Sequence, residues 1–307
     1  MPGVAFARSA SRVFLRAAAC FPQRPRYPAA VFLSTLLIAF LLLRAGSLFA
    51  QQDAAAATLV AQMSTAVRML DYEGSFIYQH ESRIDAFRLF HAGGVRERER
   101  LVGLSGSRSE IIRDGASITC FQSGLPAVLF ANRKSARLLP LVPDTQGRAF
   151  ARFYALHLGA MDRVAGYPAH IVEIAPRDGY RYGYELWIEP TTHLLLRSAI
   201  VDGAKRTLEQ FMFVALDVGA KPKQSDLAPS MNAGVSLPAV ETALAHAPQW
   251  RVTDAPPGFH FVGARRPTQG PDQAEHQMYT DGLANVSVYI EPRANKTTQG
   301  ADQAAMR

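Results

Sequence analysis

Apolar residues change their spacing several times along the chain, and each change marks an element. Between Leu59 and Leu70 they recur at steps of three and four (Leu59, Met63, Ala66, Val67, Leu70), which predicts an amphipathic helix ending before Glu73-Gly74. From Gly74 the period drops to two. The stretches 74–80, 85–91 and 96–104 read as successive strands, and 110–121 reads as a hairpin because Asp114-Gly115 supplies the positive φ of a tight turn. A strand over 126–131, an irregular loop over 138–147, a short helical pattern over 149–158 and a hairpin turn at Gly166-Tyr167-Pro168 follow.

Residues 180–202 form two long strands around Pro190-Thr191-Thr192, with Tyr184, Leu186 and Ile188 on one face and Glu185, Trp187 and Glu189 on the other. A turn at 203–205 leads into a strand over 207–216. Eight or nine antiparallel strands with one main helix make an α+β, mostly β, protein whose broad sheet must bury its apolar face against helix, loop or ligand. Residues 219–238 hold three Pro and two Gly with little periodicity and read as a linker. A smaller unit follows: a helix over 240–247, a strand over 259–266, and a strand at the end of 276–292 in which Val286, Val288 and Ile290 alternate with Asn285, Ser287 and Tyr289. The domain plan is therefore a leader (1–50), a large domain (54–218), the linker (219–238), a small domain (239–292) and a polar tail (293–307).

The formal charge of +7 suggests a nucleic-acid binder until the charges are located. Six of the 33 basic residues, Arg8, Arg12, Arg16, Arg24, Arg26 and Arg44, lie in the first fifty positions, which hold no acidic residue. The remainder has 27 basic against 26 acidic groups, too even a balance to condense on phosphates, and no nucleic-acid partner is expected. Flanked by those arginines, the uncharged run from Ala29 to Leu43 would span only ~22 Å as a helix, short of a ~30 Å hydrocarbon core. That layout is a secretory signal peptide, with cleavage expected near Ala50. Of the two cysteines, Cys20 precedes the run, so the exported chain keeps Cys120 alone and has no disulfide framework.

Catalytic patterns are sparse. The eight histidines are scattered singly without metal-ligand spacing, and no phosphate-binding glycine loop is present. The GLSGS stretch at 103–107 lacks the final glycine and the strand-to-helix setting of a nucleophile elbow. In RERER (96–100) the arginines share one strand face and Glu97 and Glu99 the other, which reads as a solvated strand. No catalytic, cofactor-binding or metal-ligating residue is expected, and the chain is not expected to be an enzyme. The concentration of Phe, Tyr and Trp in the strands is more suggestive. An incompletely covered sheet face would accept an acyl chain, with Tyr184, Leu186, Ile188, Leu194 and Leu196 as the candidate lipid-facing residues.

The segments 63–80, 105–120, 184–202, 208–213 and 276–292, in this order and spacing, resemble the RseB/MucB family of sigma-E regulatory proteins. The resemblance implies a periplasmic two-domain protein, its larger domain a partly open β-barrel similar to LolA and LolB and its smaller one a sheet with a helix. It further implies binding to the periplasmic domain of a membrane-spanning anti-sigma factor (RseA/MucA-like), which it shields from proteolysis until a lipid or lipopolysaccharide-like signal releases it. Since the family uses the small domain in binding, His276, Tyr279, Asp281, Val286 and Val288 are the candidate partner-binding residues. The family continues beyond the strand that ends near Pro292, so the small domain is expected to be truncated and incomplete. The competing reading is a periplasmic carrier of lipid or lipoprotein, which would need the sheet but not the second domain.

Overall fold

In the computed structural model the three-and-four spacing becomes helix α1 (53–69), whose Ala56, Val60, Met63 and Val67 form one buried stripe. The described residues are 53–115, 117–121, 148–231, 235–237, 247–265 and 275–291. The expected leader, the strand at 126–131, the loop at 138–147, the tail, and all but the last residue of the helix at 240–247 lie outside them.

Strands β1 (Tyr72–His80), β2 (Arg83–Ala92), β3 (Arg98–Gly103), β4 (Glu110–Asp114) and β5 (Ser117–Phe121) precede a short helix, α2 (Arg148–Phe153). Then come β6 (Tyr154–Val164), β7 (Tyr167–Pro176), β8 (Gly183–Ile188), β9 (Leu195–Val201), β10 (Thr207–Val218) and β11 (Val235–Leu237). These eleven strands form one antiparallel sheet in the order β11-β5-β4-β3-β2-β1-β10-β9-β8-β7-β6. Its end strands, β11 and β6, do not pair with each other, so among the described residues the sheet is open. A second sheet has the order β12-β13-β14, from β12 (His260–Arg265), β13 (Glu275–Thr280) and β14 (Asn285–Ile290).

One face of the large sheet is covered by α1. Beneath it Phe76 stacks on Phe87 (5.4 Å between ring centroids) and meets Phe211 and Phe213 edge-on at 5.2 and 5.9 Å. Because successive side chains alternate across a strand, the opposite face of β7–β9 builds a second cluster around Trp187, Leu196, Ala199 and Val201. There Trp187 Nε1 donates to Asp162 (2.8 Å) and the Arg197 guanidinium lies 4.0 Å over its ring.

Four local expectations need correction. The helical pattern at 149–158 stops at Phe153, because Arg177 takes over the carbonyls at the helix end: its N–H donates to Phe153 (2.8 Å) and its Nε to Ala151 (3.1 Å) and Tyr154 (3.2 Å). From Tyr154 onward the chain pairs with β7. The stretch 276–292 holds a second strand besides the expected one, since Asp281 Oδ1 accepts from Leu283 N (2.9 Å) and Ala284 N (2.7 Å) and turns the chain at Gly282, whose φ is 102°. The central β13 is the buried strand, and β14, whose alternation of apolar and polar residues predicts one buried face, is largely exposed and lies at the edge among the described residues. Finally, the RERER run alternates as expected but is not solvated throughout, for Glu97 and Glu99 are 5% and 1% exposed.

The linker stretch is tied down. Arg98 donates to Gln224 (2.7 Å), Arg100 to the Asp226 carbonyl (3.1 Å), and Ser230 N to Glu110 (2.9 Å), which straps residues 219–231 across β3 and β4. Val235–Leu237 then extends the sheet beside β5.

Candidate binding site

Of the candidate lipid-facing residues, Leu186, Ile188 and Leu194 lie in the interior under α1 with at most 1% exposure, and Tyr184 packs half-buried at its margin. Leu196 does not join them. The register of β8 and β9 shifts between Trp187 and Ile188, so Leu194 and Leu195 both face the interior and Leu196 packs in the second cluster. Among the described residues, the interior side chains pack in one core cluster with Val60, Met63 and Val67 of α1. An open groove of about 480 Å³ lies outside α1, lined by residues including Thr58, Gln62, Thr65, Met69 and His193.

The small-sheet candidates divide by position. Tyr279 is buried, donates to Gln277 (2.8 Å) and meets Phe261 edge-on. His276 stacks on Tyr289 at 4.5 Å and accepts from Arg265 Nε (3.1 Å). Burial, and then the nearby Arg265 charge, lower its pKa, consistent with an imidazole that accepts at Nδ1. Val286 and Val288 sit on the edge strand β14, which pairs only with β13 among the described residues. Asp281, at the hairpin tip, belongs to a junction between the sheets.

At that junction Asp281 Oδ2 accepts from the Tyr154 hydroxyl (2.9 Å) and from Arg181 (3.0 Å). The Arg181 guanidinium also donates to the Pro257 carbonyl and lies over Phe153 (4.4 Å) and Phe259 (4.9 Å). Leu283 carries the hairpin tip onto the core of the large sheet. Sequence reading did not single out Arg181, because its neighbours Tyr180 and Tyr182 are 64% and 56% exposed and give no periodic signal of a buried position between them.

A second buried polar cluster lies at the other end of the sheet. Arg113 Nε donates to Glu99 (2.8 Å) and its terminal nitrogen pairs with Glu97, while His91 approaches both carboxylates. Burial works to lower the Arg113 pKa, but the two carboxylates outweigh it and raise it. The guanidinium thus already engages both acids, which makes this an ion-pair cluster rather than an open ligand set.

Two protein-family models match the chain, one after the other. The model of the MucB/RseB N-terminal domain matches residues 55–231, from α1 through the strap, and that of the MucB/RseB C-terminal domain matches 245–307. The chain belongs to the MucB/RseB family. It is 34% identical over 264 residues to the sigma factor AlgU regulatory protein MucB of Pseudomonas aeruginosa, covering 82% of this chain and 80% of that protein. Identity to the sigma-E factor regulatory protein RseB of Escherichia coli K12 is 28% over 251 residues, covering 80% and 78%. Among solved structures, MucB in the Pseudomonas aeruginosa MucA/MucB complex superposes with a TM-score of 0.63 at 31% identity, over 78% of this chain and 80% of that one. MucB crystallised with MucA(peri) gives 0.61 at 30% identity, over 77% and 79%. Arg181 and Asp281 therefore join the two MucB/RseB domains. Among the described residues, no helix is long and apolar enough to cross a membrane.

Proposed function

We infer that this protein is a periplasmic negative regulator of an envelope-stress sigma-factor pathway. It binds the periplasmic part of a membrane anti-sigma factor, protects it from proteolysis, and is released by lipid-like signals. The observation that carries this reading is the match of both MucB/RseB domains in order, together with superposition on a MucB in complex with MucA. Binding rather than catalysis is its role. The second family domain, matched at residues 245–307, supports a regulator over a carrier, which would need only the large sheet.

Among the described residues one edge of β14 pairs with no strand, and that edge is the surface offered to the partner, since such an edge can take up an incoming segment by strand addition. Val286 and Val288 flank that edge, whereas His276, Tyr279 and Asp281 support the sheet and its docking. The test is binding of the exported chain to the periplasmic segment of a membrane anti-sigma factor, with protection of that segment from protease as a second readout. Val288→Pro, placed on the edge strand, should weaken binding at least tenfold, the usual measure of a 1.4 kcal/mol loss. Absence of binding by the unaltered chain would remove the regulatory reading. Tight binding by a folded Val288→Pro variant would remove β14 alone.

A further inference from the structure

The hairpin of β6 and β7 outruns the strand beside it. β7 pairs with β8 only from His170 to Ile174, so within the sheet the stretch 161–169 is held by its own two strands alone. Ala165 and Gly166 both take positive φ (49° and 87°), the two-residue turn that keeps such a hairpin tight. At its base two residues of β6, Gly159 and Ala160, stand opposite the single Ile171 of β7. That is a bulge, and a bulge bends the strand that carries it.

The bend lays the tip against the sheet face opposite α1. Val164 and Ala169, with Ala165 and Tyr167 beside them, pack in the second cluster with Trp187, Leu196 and Met212. Between bulge and tip, every residue of β6 from Gly159 to Arg163 is exposed. Two hydrogen bonds close the contact: Trp187 Nε1 donates to Asp162 Oδ2 (2.8 Å), and the Tyr167 hydroxyl donates to the Leu216 carbonyl (3.2 Å).

The Leu216 carbonyl lies on a strand edge. β9 follows β10 only as far as Met212, so beyond that residue the side of β10 away from β1 has no strand among the described residues. Gly219 N donates to Asp71 O (2.7 Å), and bonded pairs alternate along an antiparallel ladder. Asp217 therefore faces β1, whereas Leu216 and Val218 direct their N–H and C=O groups away from it. An edge of this kind pairs with other chains when it is left open.

We propose that residues 161–169 are a flap, hinged at the Gly159–Ala160 bulge, that guards the edge of β10 beyond Met212. Shut, it holds the Leu216 carbonyl through Tyr167 and the Trp187 indole through Asp162. Open, it releases both together while the rest of the sheet stays paired. Opening breaks the apolar contacts of the tip and two side-chain hydrogen bonds and leaves the ladder pairs in place, so it belongs to the motions that precede global unfolding. This inference stands on the fold and is independent of the partner.

Hydrogen exchange of the full chain, followed by NMR, tests it because Trp187 carries two reporters. Its indole hydrogen is held by the flap, and its backbone lies in the sheet between β7 and β9. After correction for intrinsic rates, the indole hydrogen should open at least about tenfold more often than the slowest amides of β7 and β8. Tyr167→Phe keeps the packed ring and removes only the bond to Leu216. It should raise opening at the Trp187 indole, on a different strand, by roughly fivefold and leave those slowest amides unchanged. An indole hydrogen that opens only in step with those amides would overturn the proposal. So would a Tyr167→Phe variant in which the indole is unaffected, or in which indole and amides speed up equally. If that variant fails to fold, the comparison within the wild type decides.

Discussion

Arg181 and Asp281 stand a hundred positions apart in sequence and form an ion pair of 3.0 Å whose side chains are 0% and 1% exposed. The pair bridges the large and the small sheet. Taking two ions out of water costs several kcal/mol each, and here the cost is offset by the Tyr154 hydroxyl, the Pro257 carbonyl and three aromatic faces around the guanidinium. The docking of the hairpin tip satisfies all these groups at once, so the pair ties the orientation of the small sheet to the large one.

Removing one partner leaves the other charged and buried. Asp281→Ala should therefore destabilise the protein by roughly 3–5 kcal/mol. Trp187 in the large sheet and Trp250 in the small module report urea unfolding of each part by fluorescence, given single-tryptophan variants. Loss of stability confined to the Trp250 signal is expected. Unchanged midpoints at both would show that the pair contributes nothing to docking.

Tyr154 makes the junction sensitive to alkali. Burial first, and the Asp281 charge second, push its pKa far above the ordinary 10.0. The folded state thus keeps a proton that the unfolded chain surrenders above pH 10, so this contribution is complete below that value and is lost as pH rises beyond it. Tyr154→Phe should cost about 1 kcal/mol at neutral pH and decline less steeply in alkali. Denaturation midpoints of both proteins above pH 10 compare the two slopes.

Gly258 adopts φ +89°, and a Cβ there would overlap the Phe153 ring that packs on Arg181. Gly258→Ala should lower the melting temperature and increase proteolysis between residues 247 and 265. A variant as resistant as the wild type would show that the Phe153 ring yields freely.

Glu110 anchors the strap over β3 and β4. Burial opposes its ionisation, yet the Ser230 hydroxyl and amide and the Arg100 guanidinium together hold its pKa below the ordinary 4.5. That contribution is present above pH 4.5 and is lost as pH falls through the lower folded value. Glu110→Gln should cost roughly 1.5–3 kcal/mol at neutral pH, a gap that closes in acid, and should expose 219–231 to protease. Equal cleavage rates in the two proteins would argue that other bonds hold the strap.

Where a local pattern decided the structure, the sequence was legible. Period-two alternation located β1, β2, β8, β9 and β10, and Asp114-Gly115 marked its hairpin with Gly115 at φ 59°. Two of the misreadings share one cause, a partner distant in sequence. Nothing near Phe153 announces that Arg177 will end its helix, and Glu99 carries no local sign of Arg113 on the next strand. Leu196 misled for a different reason: a register shift of one residue sends a side chain to the opposite face, and periodicity alone does not contain the shift. Sequence placed Val286 and Val288 on a strand, but it could not tell edge from centre, which depends on what pairs alongside.

β1 comes first among the strands yet lies in the middle of the large sheet, with Tyr72 against Val218 and His80 against Glu209 on β10. Each wing on either side closes largely through hairpins of neighbouring strands, whereas this seam must bring together groups such as Gln79 and Gln210, 131 positions apart. Loop closure therefore weighs most heavily on the seam, and it sets the pace of folding. A chain emerging from its amino end holds Phe76 and the free edge of β1 exposed until β10 arrives. The hazardous interval lasts from the first strand to the tenth, and substitutions that speed the β1–β10 seam should raise yield even where they leave final stability unchanged.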